Sequence, residues 1–150
     1  MGVELTPEEI DAYMLQSPRV ILCISREGQA PLPLPMWFGW IDRTLVMHTL
    51  LSSKKMTHLR QNPRVSCLVE SGEHYYTLKA VLAIGNCAIS EDPEDVARVR
   101  DAIHENKPFY RDLTPEQWPP HLERHYAKPR VALRVKPESL TSWDFSKIRH

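Results

Sequence analysis

A chain of 150 residues is long enough for one domain around one core, burying about 70% of its unfolded surface. With 42% hydrophobic residues and 19 basic against 19 acidic side chains, it is neither disordered nor a bulk polycation, although a local basic patch stays possible. The longest apolar runs, at 20–24 and 80–84, are too short to cross a bilayer, and the first residues show no secretory leader, so a cytoplasmic, non-membrane protein is expected. Cys23, Cys67 and Cys87 are odd in number and lack a Cys-x-x-Cys spacing, and they read as reduced thiols. Without a repeat, a linker or a low-complexity tract, residues 1–150 form a single domain.

Thr6-Pro7-Glu8-Glu9 joins a capping hydroxyl, a first-turn proline and a glutamate able to cap back. It predicts a helix to about Gln16, closed by Ser17-Pro18. Residues 19–25 form a buried-strand run, with its turn at Arg26-Glu27-Gly28-Gln29. Prolines then fall at 31, 33 and 35. In an extended chain their missing donors lie along one edge, which cannot be a central ladder, and pairing there resumes only from Met36 onward. Met36-Trp37-Phe38-Gly39-Trp40 runs to a turn at Asp42-Arg43. Residues 44–49 return as the hairpin partner, with Leu45, Met47 and Thr49 on one face and Val46 and His48 on the other.

Residues 64–70 form a further strand. Ser71-Gly72-Glu73 turns into a long strand from about His74 to Ser90, in which Gly85 allows a bend or bulge. Asp92-Pro93-Glu94-Asp95 opens a helix striped by Val96, Val99 and Ile103 and ended by Lys107-Pro108. Thr114-Pro115-Glu116-Gln117 begins another helical piece, broken at Pro119-Pro120 and resumed to about Ala127. Val131, Leu133 and Val135 alternate with Ala132, Arg134 and Lys136 in a half-buried strand. Five or six mostly antiparallel strands with short helices between them point to a small barrel, mainly β with some α.

From 43 to 69 there is no acidic residue, while Arg43, Lys54, Lys55, Arg60 and Arg64 give +5. The densest part is Leu50-Leu51-Ser52-Ser53-Lys54-Lys55-Met56. Either serine is a good helix N-cap, and Met56 and Leu59 continue an apolar face to Asn62-Pro63. Two lysines in a first turn have the wrong sign for the positive end of a helix dipole, at about 0.3–1 kcal/mol each. Free amides, hydroxyls and two ammonium groups make a site for a phosphate. A solvated basic helix that tolerates the penalty is the plain alternative.

The stretch Val46-Met47-His48-Thr49-Leu50-Leu51-Ser52-Ser53-Lys54-Lys55, followed by Asn62-Pro63-Arg64-Val65, resembles the flavin-binding split-barrel family related to pyridoxamine 5′-phosphate oxidase. In that family a strand ends in an aromatic or polar residue plus threonine, then come Ser-Arg-Lys and, a few residues on, Asn-Pro-Arg-Val. Lys54 stands in the arginine's place. The likeness runs over most of the chain and is densest from 33 to 69. It implies a six-stranded antiparallel split β-barrel with short peripheral helices, a homodimer, and FMN bound at the subunit interface. Carried over by position, Ser53, Lys54 and Lys55 hold the phosphate, and His48 and Thr49 flank the ribityl chain or ring. Met36, Trp37 and Phe38 present backbone to the isoalloxazine, Lys79 and Ala80 reach the ring's polar edge, and Trp143 approaches the flavin from the second subunit. Lys79, a lone charge amid Leu78, Val81 and Leu82, reads equally as a residue with a specific partner or as an outward-facing lysine. Trp143 reads equally as a core or rim residue.

The departures from the vitamin B6 enzyme redirect the chemistry. Its flavin-strand arginine and substrate-phosphate lysine fall on Pro33 and Phe38, and its C-terminal Arg-x-His motif is absent from Phe145-Ser146-Lys147-Ile148-Arg149-His150. An apolar ring cannot replace an ammonium group facing a phosphate. The resemblance therefore implies hydride transfer between FMN and a small apolar or conjugated substrate instead of oxidation of pyridoxamine phosphate, with Trp37, Phe38, Tyr75, Tyr76 and Trp143 as candidate pocket walls. No side chain stands out as a general base. A deazaflavin coenzyme in place of FMN, or a flavin or haem held without turnover, are the alternatives.

Other constellations are weaker. His121 and His125 share a helical face, but Leu122 stands where a zinc protease needs glutamate, so no metal is expected. His74, His121, His125 and His150 are equivalent as haem ligands, and nothing selects one. The basic segment lacks the interleaved aromatics of a single-strand groove, so no nucleic acid is expected. The cysteines sit in apolar strands as inert thiols.

Overall fold

The computed structural model describes residues 2–107 and 119–148; the helical start expected at Thr114 lies outside them. Helix α1 (Pro7–Gln16) opens with the expected capping box. Thr6 Oγ1 accepts from the Glu9 amide at 3.2 Å, and the Glu9 carboxylate accepts from the Thr6 amide at 2.8 Å. It closes where the Ser17 amide and hydroxyl both turn back onto the Tyr13 carbonyl.

Eight strand segments follow: β1 (Arg19–Ile24), β2 (Leu32–Trp37), β3 (Gly39–Ile41), β4 (Thr44–Leu50), β5 (Arg64–Ser71), β6 (Lys79–Ser90), β7 (Arg130–Val135) and β8 (Ser139–Asp144). They pair antiparallel in the order β2-β1-β5-β6-β7-β4-β3, with β8 also on β6. The two ends of this path, β2 and β3, are consecutive in the chain, so the sheet curls back beside its own start as a split barrel.

Eight segments replace the six strands expected, because two courses are broken. β2 and β3 are separated only by Phe38, whose side chain turns fully into the core. β7 and β8 run along one edge of β6, against Cys87–Ser90 and then Lys79–Ile84. Between them, residues 136–138 face only 85 and 86, a bulge. It forms at Gly85, where a Cβ would lie 2.6 Å from the Lys136 carbonyl oxygen, so only glycine lets the strands pass.

The prolines behave as their chemistry requires. β2 is an outer strand that pairs β1 along one edge, and Pro33 and Pro35 lie exposed on it. The chain takes a new partner, β4, only from Gly39. Asp42 and Arg43, at φ 50° and 57°, make the two-residue β3–β4 turn.

One boundary differs from expectation. β6 begins at Lys79, not near His74, because Tyr75–Thr77 forms a 3₁₀ turn. There the His74 carbonyl accepts from both the Thr77 amide and hydroxyl. Gly72, at φ 111°, passes so close to the Thr77 carbonyl that a Cβ would lie 2.4 Å from it.

The barrel interior is filled by Leu22, Ile24, Leu45, Met47, Val81 and Leu133 among others. Helix α2 (Lys55–Gln61) adds Met56 and Leu59 to it. Helix α3 (Pro93–Asn106) packs its predicted stripe of Val96, Val99 and Ile103 on Val46 and Ala132, outside the barrel. Asp95 bonds both terminal nitrogens of Arg134 at 2.7 and 2.8 Å, tying α3 to β7. Helix α4 (Pro120–Tyr126) carries His121 and His125. Among the described residues no helix is long and apolar enough to cross a membrane.

Candidate functional site

The five cations of the acid-free segment divide into two groups. Arg43 reaches Asp11 at 3.5 Å, Arg60 reaches Glu91 at 3.3 Å, and Arg64 bonds Glu138. These three find carboxylates from elsewhere in the chain. Among the described residues Lys54 and Lys55 form no ion pair. Lys54 is exposed, while Lys55 is folded back so that its Nζ donates to Thr49 Oγ1 at 2.7 Å and Ser53 Oγ at 2.8 Å. Both acceptors are neutral. Burial, and then the nearby charge of Arg130, push the Lys55 pKa down.

The serines do not cap the helix as the sequence suggests. α2 starts at Lys55, and its N-cap is Lys54, with helical backbone angles and no side-chain bond to the helix amides. The Ser53 hydroxyl is already engaged by Lys55. The expected serine cap is thereby replaced by a lysine–serine–threonine cluster with the turn 51–54 around it.

His48 and Arg130 adjoin this cluster. Arg130 opens β7 opposite Leu50, and the Pro129 carbonyl accepts from the Leu51 amide at 3.0 Å. Arg130 Nε donates to His48 Nδ1 at 2.8 Å. His48, on the α3 side of β4, is held neutral, its pKa pushed down to about 3 by burial and then by Arg130, Arg100 and His104. Sequence reasoning missed Arg130, which lies far downstream and reads as an ordinary strand start.

Met36–Phe38 lead into Gly39, which pairs Val46 on the strand of His48, whereas Ala80 and Trp143 lie further along β6. Ser90 pairs Ala132, which also pairs His48, whereas Ala80 pairs Trp143. Those two points on β6 are ten residues apart, with the Gly85 bulge between them. Ala80, itself buried, and half-buried Trp143 lie on the face of β6 and β8 opposite the core residues Val81 and Ala83. Trp37 faces Arg19 on β1, Glu70 faces Ala80, and Ala80 faces Trp143. Arg19 and Glu70 also line a cavity of about 450 Å³ with Tyr13, Gln16 and Ser71.

Lys79 is turned the other way, and its specific partner is internal. Its Nζ lies 3.7 Å from buried Asp144 and 5.5 Å from the Tyr13 ring centroid. Met36 packs against the barrel core, leaving only its backbone for a ligand.

Phe38 is withdrawn as a pocket wall: it is fully buried, with the Lys107 Nζ 3.1 Å from its ring centroid. Trp37, Tyr75 and Tyr76 remain strongly exposed, and Tyr75 leans on Phe145 at 4.8 Å between centroids. Cys67 and Cys87 are buried thiols pushed up to about 12 by burial, whereas Cys23 is only half-buried.

Comparison with known proteins bears on the fold and the family. No curated protein matches the sequence. Among solved structures, a conserved hypothetical protein of Mycobacterium tuberculosis is 28% identical, with a TM-score of 0.81 over 99% of this chain and 92% of that one. A FAD-binding protein of Mesorhizobium loti is 23% identical, at 0.63 over 93% and 94%. An F420 reductase is 20% identical, at 0.62 over 90% and 98%. The family model described as pyridoxamine 5′-phosphate oxidase matches residues 6–144, nearly the whole barrel. The chain belongs to that family.

Proposed function

We propose that this protein is a cytoplasmic, homodimeric FMN-dependent oxidoreductase moving hydride to or from a small apolar or conjugated substrate. One observation carries the reading: among the described residues, three of the five cations in an acid-free segment are matched by carboxylates, whereas Lys54 and Lys55 meet none. A phosphate dianion supplies what they lack. The flavin, when bound, supplies the hydride chemistry. Ser53, Lys54 and Lys55 bind its phosphate, and Thr49 fixes the Lys55 ammonium through its hydroxyl.

The two-ended layout supports a second copy of the chain as partner. Ala80 and Trp143 lie ten residues along β6 from the level of His48, and a two-fold neighbour would bring one protomer's cluster to the other's Ala80 and Trp143. Exposed Trp37 and half-exposed Ile21, Leu68 and Leu82 on the same outward face give that neighbour an apolar surface. The aromatic side chains of Trp37 and Trp143 suit a flat, apolar substrate.

The test is the absorption and emission spectrum of the purified protein, with mass spectrometry of what denaturation releases. A flavin spectrum, released FMN, and oxidation of a reduced nicotinamide or dye are expected. A colourless protein that takes up no added FMN overturns the reading. A released deazaflavin keeps the anion anchor and replaces the cofactor.

A further inference from the structure

We infer that the last turn of α3 staples the barrel across its split, and that Asn106 is the positioning residue that fixes the Met36–Phe38 backbone for the flavin ring. The inference rests on the cofactor reading above. Residues up to Trp37 pair with β1, residues from Gly39 pair with β4, and Phe38 alone lies between the two ladders. A single residue between two ladders is a place where the chain can hinge. It directly follows Met36, whose side chain is packed on the core and whose backbone is what remains for a ligand.

The end of α3 holds this joint residue by residue. The body of the helix rides on β4 and β7, through Val99, Ile103 and the Asp95–Arg134 pair. At its last turn Asn106 Oδ1 accepts from the Trp40 amide at 2.8 Å, and Nδ2 donates to the Trp40 carbonyl at 3.0 Å, as a paired strand would. Gly39 passes so close that a Cβ would lie 3.1 Å from the Ile103 side chain. Lys107 lies on the Phe38 ring and donates to the Ser17 carbonyl, just ahead of β1. Adjacent residues 106 and 107 thus grip β3 on one side of the joint and the approach to β1 on the other. Helix α1 adds a second bridge: Asp11 accepts from Trp40 Nε1 at 2.8 Å, while the Tyr13 hydroxyl reaches Ser71 and the Lys79 carbonyl. Covering the edge of a short strand requires only that its polar groups be met. Asn106 does more, because one planar amide meets both the donor and the acceptor of a single residue and so fixes the tilt of β3 as well as its distance. A flat ring read against backbone needs that backbone held before the ring arrives.

The experiment titrates the flavin-stripped protein with FMN and with riboflavin, which lacks the phosphate, and records the visible circular dichroism of the bound ring. Asn106→Leu removes both bonds at nearly constant size. It should lower the affinity for both flavins by a common factor of about fivefold or more and alter the dichroism. The ratio of FMN to riboflavin affinity should stay within about twofold of the native one. Asn106→Asp keeps the acceptor and loses the donor, and should show a smaller common loss even where the leucine variant does not fold. Asp92→Ala weakens α3 at its far end and serves as the control for general loosening. It should leave both affinities and the dichroism as in the native chain.

If Asn106→Leu, or Asn106→Asp where only that variant folds, keeps the native affinities and dichroism, the residue serves only the fold. The inference then fails while the cofactor reading stands. It fails equally if FMN alone is weakened, which puts the effect at the phosphate, or if Asp92→Ala matches the Asn106 variants, which makes loosening the cause. If the native chain binds neither flavin, the cofactor reading falls and takes the role of Asn106 with it.

Discussion

Helices α3 and α2 start in opposite ways. At α3, Asp92 accepts from the Glu94 amide at 3.2 Å, Pro93 takes the first position, and Glu94 and Asp95 face the positive end of the dipole. Asp95 then works a second time, gripping Arg134. At α2 no side chain caps the amides, no acid lies in the first turn, and lysines occupy the two positions where acids belong. At the start of α3 the Asp92 and Asp95 carboxylates are both engaged within the fold. At the start of α2 the serine and threonine hydroxyls accept from Lys55, and among the described residues neither lysine meets a carboxylate. Where one helix obeys local rules and its neighbour breaks them at a cost, the broken one is where a ligand is expected to restore the balance.

The largest effect expected from this contrast is on binding. Lys54→Ala with Lys55→Ala should weaken FMN about a hundredfold or more, from two charge-assisted contacts of about 1.5–3 kcal/mol each. The melting temperature should stay the same or rise. Equal FMN affinity in the double variant, measured by titration, would remove the asymmetry between the two helices as a functional signal.

Lys107 sharpens the contrast between a lysine kept for a ligand and one kept for the fold. It caps the C-terminus of α3, is fully buried, donates to the Ser17 carbonyl and lies on the Phe38 ring. Burial pushes its pKa down to about 7. In the unfolded chain a lysine keeps its proton to about pH 10.4. Between those values the unfolded state binds more protons than the folded one, so this group makes stability rise with pH from about 7 to about 10, by at most about 1.4 kcal/mol per unit. Denaturant unfolding across that range should show the rise. Lys107→Met should abolish it and stabilise the protein most at and below pH 7. A native profile without that component would mean that the buried ammonium costs the fold nothing. Lys55 differs in kind: its lowered pKa should climb back when a dianion binds.

What could be read from the sequence was what local chemistry decides. The Thr6–Glu9 capping box, the Asp92 cap, the alternate prolines and the Gly85 bulge each follow from a few adjacent residues, and each stands where expected. β8 was not legible, because Ser139, Thr141, Ser142 and Asp144 give it no apolar alternation, and it is a strand only by virtue of its pairing with β6. The partner of Lys79 was lost with it, since Asp144 ends that strand. At the site, the clash of lysines with a helix start was visible locally, whereas Arg130 enters only through its register opposite Leu50. The one sequence cue for it is a cation at the head of a strand with an apolar alternation, a cue too common to select it. Phe38 misled for a related reason: the family motif places its backbone, while the inward turn of its ring is set by the break between β2 and β3.

The smallest effect is also the cleanest separation of the two helix starts. Lys54 is exposed and forms no ion pair among the described residues, so replacing it disturbs little packing. Lys54→Glu puts an acid at the N-cap of α2, where Asp92 stands in α3, and should raise stability by about 0.3–1 kcal/mol. The reciprocal change, Asp92→Ala, removes a working cap and should lower stability by about 1 kcal/mol. The two variants should part again on binding: Lys54→Glu loses FMN affinity while gaining stability, and Asp92→Ala loses stability while keeping affinity. A gain in stability bought with a loss of ligand is the behaviour of a residue retained against the interest of its own helix. If Lys54→Glu instead destabilised the chain, the lysine would be serving α2 after all, and the ligand argument for it would have to be abandoned even if Lys55 kept its place.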